Sequence, residues 1–112
     1  MFDGLAHGAC GIIPGPALCG VFVHIFKLYD AGRVDEAKSW FYRTLPFLVF
    51  ALENLELFIL MEKRVLVRRE VIASDRLREP TLRLDAAYQQ QAEELVANVL
   101  KLIAELPRTP LA

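Results

Sequence analysis

The sequence predicts a mostly α-helical chain, with four main helices behind one short strand. Three observations lead there. Apolar residues recur three and four positions apart through most of the chain, the spacing of one helix face. Gly32 and the stretch around Pro80 interrupt that spacing as breakers do. Only Gly11-Ile12-Ile13, a brief run with β-branched residues between glycines and Pro14, reads as β.

The strand is expected at about residues 9–13, buried, within GACGIIPGP (Gly8 to Pro16). A lone strand has no partner, and unpaired backbone groups are costly to bury. It must pair with a second copy or with strands outside this sequence. Pro14, Gly15 and Pro16 end it, and Pro16 suits a first helical turn because its missing N–H would be an orphan there. The first helix is expected over 16–31, with Leu18, Val21, Phe22, Ile25 and Tyr29 on one face. Gly32 supplies a left-handed stop. His24 beside that stripe reads as a packed or rim histidine.

A second helix starts near Val34 or Asp35, whose acidic first turn suits the helix dipole. Ala37, Phe41, Leu45, Leu48 and Leu52 form its expected buried stripe, with Lys38, Ser39 and Arg43 towards water. Pro46 is expected to kink or split it near Thr44–Leu45. The third helix runs over 55–69. LELFILM is apolar almost all round and predicts burial on several sides, whereas Glu62 and Lys63 begin a solvated charged face. Residues 71–84 form a connection around Pro80. Asp85 caps a last helix whose stripe is Tyr88, Ala92, Leu95, Val99, Leu102 and Leu106, ended by Pro107 and Pro110.

Composition narrows the function. The 112 residues allow one domain, and the apolar content supplies more core material than so small a domain buries alone. A net charge of −1 gives no footprint for nucleic acid. Cys10 and Cys19 stand without a CxxC or a Cys/His cluster, which argues against zinc and for two reduced, buried thiols. The opening residues lack the basic region of a signal peptide. Leu45–Met61 is the most membrane-like stretch, but Glu53, Asn54 and Glu56 lie at its centre, where each charge costs about 2.5–3.5 kcal/mol. A packed hairpin in a cytoplasmic protein, with no membrane partner, is expected.

Several stretches in this order resemble one family: GACGIIPG (Gly8–Gly15), YDAGRVDEA (Tyr29–Ala37), Leu45-Pro46, ENLELFILMEKRVLVRR (Glu53–Arg69) and REPTLRLD (Arg78–Asp85). Together with the closing amphipathic helix they resemble the C-terminal part of the dihydrodipicolinate synthase / N-acetylneuraminate lyase family. These are TIM (β/α)8-barrel lyases and aldolases with an added C-terminal helical region. The resemblance implies that residues 1–32 are the end of the barrel: the end of helix seven, strand eight and helix eight. Residues 33–112 are then the C-terminal helical region. It accounts for the lone strand, whose neighbours would be strands one and seven.

The family's Schiff-base lysine, proton-relay tyrosine and carboxylate-binding turn lie on earlier strands. No catalytic residue, metal ligand or cofactor is therefore assigned here. A Schiff-base lysine must be neutral to attack. Lys27, Lys38, Lys63 and Lys101 sit on helices with charged neighbours, and Lys63 matches a family lysine that is not the Schiff-base residue. Ile13, Pro14 and Gly15 match the rim of strand eight, where barrel sites collect, and are the implied substrate-binding residues. Two departures stand out. Glu70 occupies a glycine position, so the third helix is expected to end less sharply, and Arg33 replaces a capping Asp or Asn. The implied function is a C-terminal fragment of a lyase acting on pyruvate or another 2-keto acid, or of a 2-keto-3-deoxy sugar acid dehydratase, inactive without the rest of the barrel. From another class comes a small helical module that homo-oligomerises to bury its strand and surplus apolar surface.

Overall fold

The computed structural model describes residues 1–108. Five helices follow one another: α1 (Phe2–Ala6), α2 (Cys19–Asp30), α3 (Val34–Ala51), α4 (Leu55–Arg68) and α5 (Ala86–Ala104). The mostly helical architecture with four main helices is as expected. The buried strand is not: among the described residues there is none. Residues 9–16 are irregular, with Ile12 37% and Ile13 101% exposed. The physical reason is the one raised by the sequence. Without a neighbouring strand, burial would orphan every N–H and C=O of the run, so the segment stays in water.

The short α1 docks through Phe2, whose ring lies 5.5 Å from Phe41 and 6.0 Å from Tyr29. α2 begins at Cys19, three residues later than expected, because the Pro14-Gly15-Pro16 turn continues into a bend. It buries Val21, Phe22, Ile25 and Leu28, with Leu18 just ahead, while Tyr29 is half-buried. Gly32 adopts φ 77° and closes the helix as predicted: its N–H reaches Tyr29 O, and Arg33 N–H reaches Leu28 O at 2.9 Å.

α3 runs unbroken through Pro46, so of the expected kink or split the split does not occur. Pro46 lies on the exposed side, so the hydrogen bond it removes leaves the carbonyl of exposed Tyr42 to water rather than to the core. The buried stripe also differs. Ala37 is buried and Phe41 and Leu48 half-buried, but Thr44, Phe47, Phe50 and Ala51 take the inner positions, leaving Leu52 exposed. Six apolar residues in a row after Pro46, Phe47 to Leu52, leave the sequence unable to choose a face, and packing against α4 and α5 selects one. Thr44 is tolerated inside because its hydroxyl donates to Phe41 O at 2.6 Å. Arg33 caps nothing with its side chain but forks onto Glu36 with two contacts of 2.7 Å.

α4 opens at Asn54, whose side chain accepts from Leu57 N–H at 2.8 Å. It buries Leu57, Leu60, Met61 and Val65 but leaves Leu55 and Ile59 exposed, so LELFILM is covered on one side. Its end corrects the expectation at Glu70. Glu70 takes φ 58°, its N–H bonds Val67 O, and Val71 N–H bonds Leu66 O at 2.9 Å. This is the same closure that Gly32 makes on α2, and it is equally sharp.

Residues 71–84 have no helix or strand and are tied down by side chains. Lys63 Nζ donates to Arg76 O at 2.7 Å, Arg64 pairs with Asp75 at 3.3 Å, and Leu82 N–H donates to Glu56 at 2.7 Å. Asp85 then caps α5 through Tyr88 N–H, as predicted. α5 buries Ala92, Val99 and Leu102 from the expected stripe, adds Val96, and leaves Tyr88 exposed. Pro107 lies just past the helix, and Pro110 falls outside the described residues. α2 packs on α3 and α5, and α4 on α3 and α5, so one core runs across residue 32. Among the described residues, no helix is long and apolar enough to cross a membrane.

Candidate functional site

The implied site residues lie where the 9–16 segment meets α2 and α4. α4 presents Phe58, Glu62 and Val65 at spacings of four and three, which place Glu62 on the inner face. Its side chain is not solvated, as the sequence suggested, but buried, with the residue 3% exposed. Oε2 accepts the N–H of Ala17 at 2.7 Å. Oε1 is buried without a hydrogen-bond partner among the described residues. Burial pushes the carboxyl's pKa up, and the Ala17 N–H partly opposes this.

Gly15 closes over this carboxylate. It has φ 87°, and a Cβ there would stand 2.7 Å from Glu62 Oε2 and 3.0 Å from Phe58 Cζ. Only glycine meets both the backbone angle and the space. On the other side of the turn, Arg69 Nη1 approaches Ala17 O at 3.5 Å, a long contact. α2 follows at once, with Leu18 as its N-cap and no side-chain cap. The carboxylate thus sits near the positive end of the α2 dipole, which offsets part of its burial cost. The arrangement is an anchor that holds the turn to α4.

Beyond the turn, residues 10–14 and α2 enclose an apolar groove of about 230 Å³, with Cys10, Ile12 and Pro14 on one wall and Cys19, Phe22 and Phe26 on the other. Both cysteines are exposed rather than buried, a correction that follows from the unburied strand. The three implied residues have separate surroundings. Ile13 projects fully into solvent, Pro14 lines the groove, and Gly15 abuts Glu62. Glu62 was missed by sequence reasoning, although an acid falling on an apolar stripe was a readable signal.

The other polar candidates are structural. His24 packs against Trp40 with ring centroids 4.7 Å apart, and burial followed by the charge of Arg33 lowers its pKa. Lys27, Lys38 and Lys63 are half-buried and Lys101 is exposed, so none of the four lies in the core. Among the described residues, no group of three or more His, Cys, Asp or Glu side chains is placed to hold a metal ion. The chain matches no family model, no curated protein and no solved structure.

Proposed function

We propose that this chain is the closing part of a Schiff-base lyase of the dihydrodipicolinate synthase type, working on pyruvate or another 2-keto acid in the cytoplasm. A 2-keto-3-deoxy sugar acid dehydratase belongs to the same reading. The observation that carries it is the pairing of a finished helical core with one apolar, unpaired segment. Residues 10–16 make no hydrogen bond among the described residues, yet the Gly15–Leu18 turn after them is clamped to α4 and leads straight into α2. That is how the last strand and helix of a barrel would look apart from their sheet. Pro14 and Gly15 would lie at the strand's C-terminal rim, and the reacting lysine would come from the remainder of the barrel.

The test is coexpression with a polypeptide carrying the first seven strands of a barrel of that type, followed by pyruvate and borohydride. A folded complex with a pyruvate adduct on the added polypeptide is expected, and no adduct on this chain alone. An adduct on a specific lysine of this chain alone, or a folded complex without lyase activity, would sink the proposal.

A second reading has its own support. Ile13, Val49, Leu52 and Leu55 are exposed apolar side chains, which suits a helical module that covers them with a second copy. Light scattering that finds a folded monomer at micromolar concentration removes this alternative.

A further inference from the structure

We propose that Cys10 and Cys19 form a two-thiol redox clasp, in which oxidation joins them as a disulfide and fixes residues 10–16 against α2. Both thiols are free and exposed, and both residues line the same apolar groove. Cys10 stands on the wall made by the irregular segment, and Cys19, the first residue of α2, stands on the other.

The segment is also free to close the remaining distance. It is tied at its two ends, where Ala9 N–H donates to Gly4 O at 2.9 Å and Ala17 N–H donates to Glu62 at 2.7 Å. Between these ties, residues 10–16 form no hydrogen bond among the described residues, so a small shift breaks none. On this proposal the segment moves between its two ties until the two Cα atoms are about 4.4–6.8 Å apart, as a disulfide needs.

The oxidant is a small-molecule disulfide, for which oxidised glutathione is the probe. One cysteine thiolate attacks it, forming a mixed disulfide and releasing one reduced thiol. The second cysteine attacks the protein sulfur of that mixed disulfide, forming the Cys10–Cys19 bond and expelling the second reduced thiol. The two protons of the cysteine thiols end on the two released thiols, and two electrons pass to the oxidant. This site does not depend on the lyase reading.

The experiment is intact mass and tryptic mapping of the full chain after treatment with excess oxidised glutathione at low protein concentration. The expected product has lost two hydrogens, carries no glutathione and no longer reacts with a maleimide. The loss should map to the tryptic peptide Met1–Lys27. Cys19→Ser and Cys10→Ser should each stop at a single glutathione adduct on the remaining cysteine. Two glutathione adducts on the unsubstituted chain, a disulfide-linked dimer, or unreacted thiols would each overturn the proposal.

Discussion

Among the described residues there are two long irregular segments, and they are opposites. Residues 71–84 are tied along their length: Arg76 to Lys63, Asp75 to Arg64, and Leu82 to Glu56, while Leu82 and Leu84 pack on the core. Arg64 extends the tie to α5 through Gln89 at 2.7 Å and Glu93 at 3.4 Å. Residues 9–16 are apolar, carry two exposed isoleucines, and among the described residues are hydrogen-bonded only where Ala9 and Ala17 leave them. The first is a loop that several bonds from α4 hold in place. The second has the composition of a core strand without the partners that make a strand, and its firm points are the Ala9–Gly4 bond at one end and the Gly15–Ala17 anchor at the other.

The largest expected effect is therefore at that anchor. Gly15→Val must hold a β-branched residue at φ 87° and push its Cβ into the Glu62 carboxylate. Left-handed strain and overpacking together should cost about 3 kcal/mol. Urea denaturation checks this. An unchanged midpoint would mean the turn is not fixed on α4, and the second segment would lose one of its two firm points.

Glu62 sharpens the same contrast through pH. Its folded pKa is raised by burial, so the neutral acid favours the folded state. That stabilisation is fully present below the unfolded pKa, about 4.3, and is lost as pH rises through the higher folded value. Glu62→Gln keeps an acceptor for Ala17 N–H and cannot titrate. Its stability should not decline across that window, whereas the parent's should. Glu62→Leu removes the acceptor as well and should cost about 1–3 kcal/mol at low pH, where the parent's carboxyl is uncharged. Parallel pH profiles for the parent and the glutamine variant would show that Glu62 does not titrate anomalously.

A smaller effect lies at the entrance to the tied loop. Glu70 and Gly32 close α4 and α2 with the same hydrogen bonds at φ 58° and 77°. Glu70 holds that angle against its Cβ, so Glu70→Gly should stabilise the protein by about 1 kcal/mol, and Gly32→Ala should destabilise it by a similar amount. Opposite shifts in Tm are the readout. A loss of stability in Glu70→Gly would mean that the glutamate side chain contributes to the loop.

These positions also show what the sequence made legible. Helical spacing located α2 to α5, and Asp85 and Gly32 marked their boundaries, because caps and periodicity are local. Phe47, Phe50 and Val96 were not separable from their apolar neighbours, since which face is buried depends on helices far away in the chain. The strand and the buried thiols of Cys10 and Cys19 failed for one reason: Gly11-Ile12-Ile13 has strand composition, but pairing is a property of two segments. At the candidate site, Pro14 and Gly15 could be named from resemblance. Glu62 could be picked out as an acid on an apolar stripe, but not its cover, because the Gly15–Ala17 turn that buries it comes from 45 residues earlier in the chain.

The smallest expected effect tests whether the untied segment is ordered at all. Gly11 has no atom within 4 Å of an added Cβ and does not require a left-handed angle. In a rigidly held segment, Gly11→Ala would stabilise by about 0.4–1 kcal/mol, because alanine loses less backbone entropy on folding. Residues 10–16 lack hydrogen bonds that would hold them among the described residues, so the native state should keep most of that freedom. The expected change is then near zero, measured by urea denaturation beside Gly15→Val. A gain approaching 1 kcal/mol would mean that packing alone fixes the segment as firmly as side-chain ties fix residues 71–84. Repeating the measurement after oxidation of Cys10 and Cys19 separates the two sources of order: a gain that appears only in the oxidised chain belongs to the clasp and not to packing.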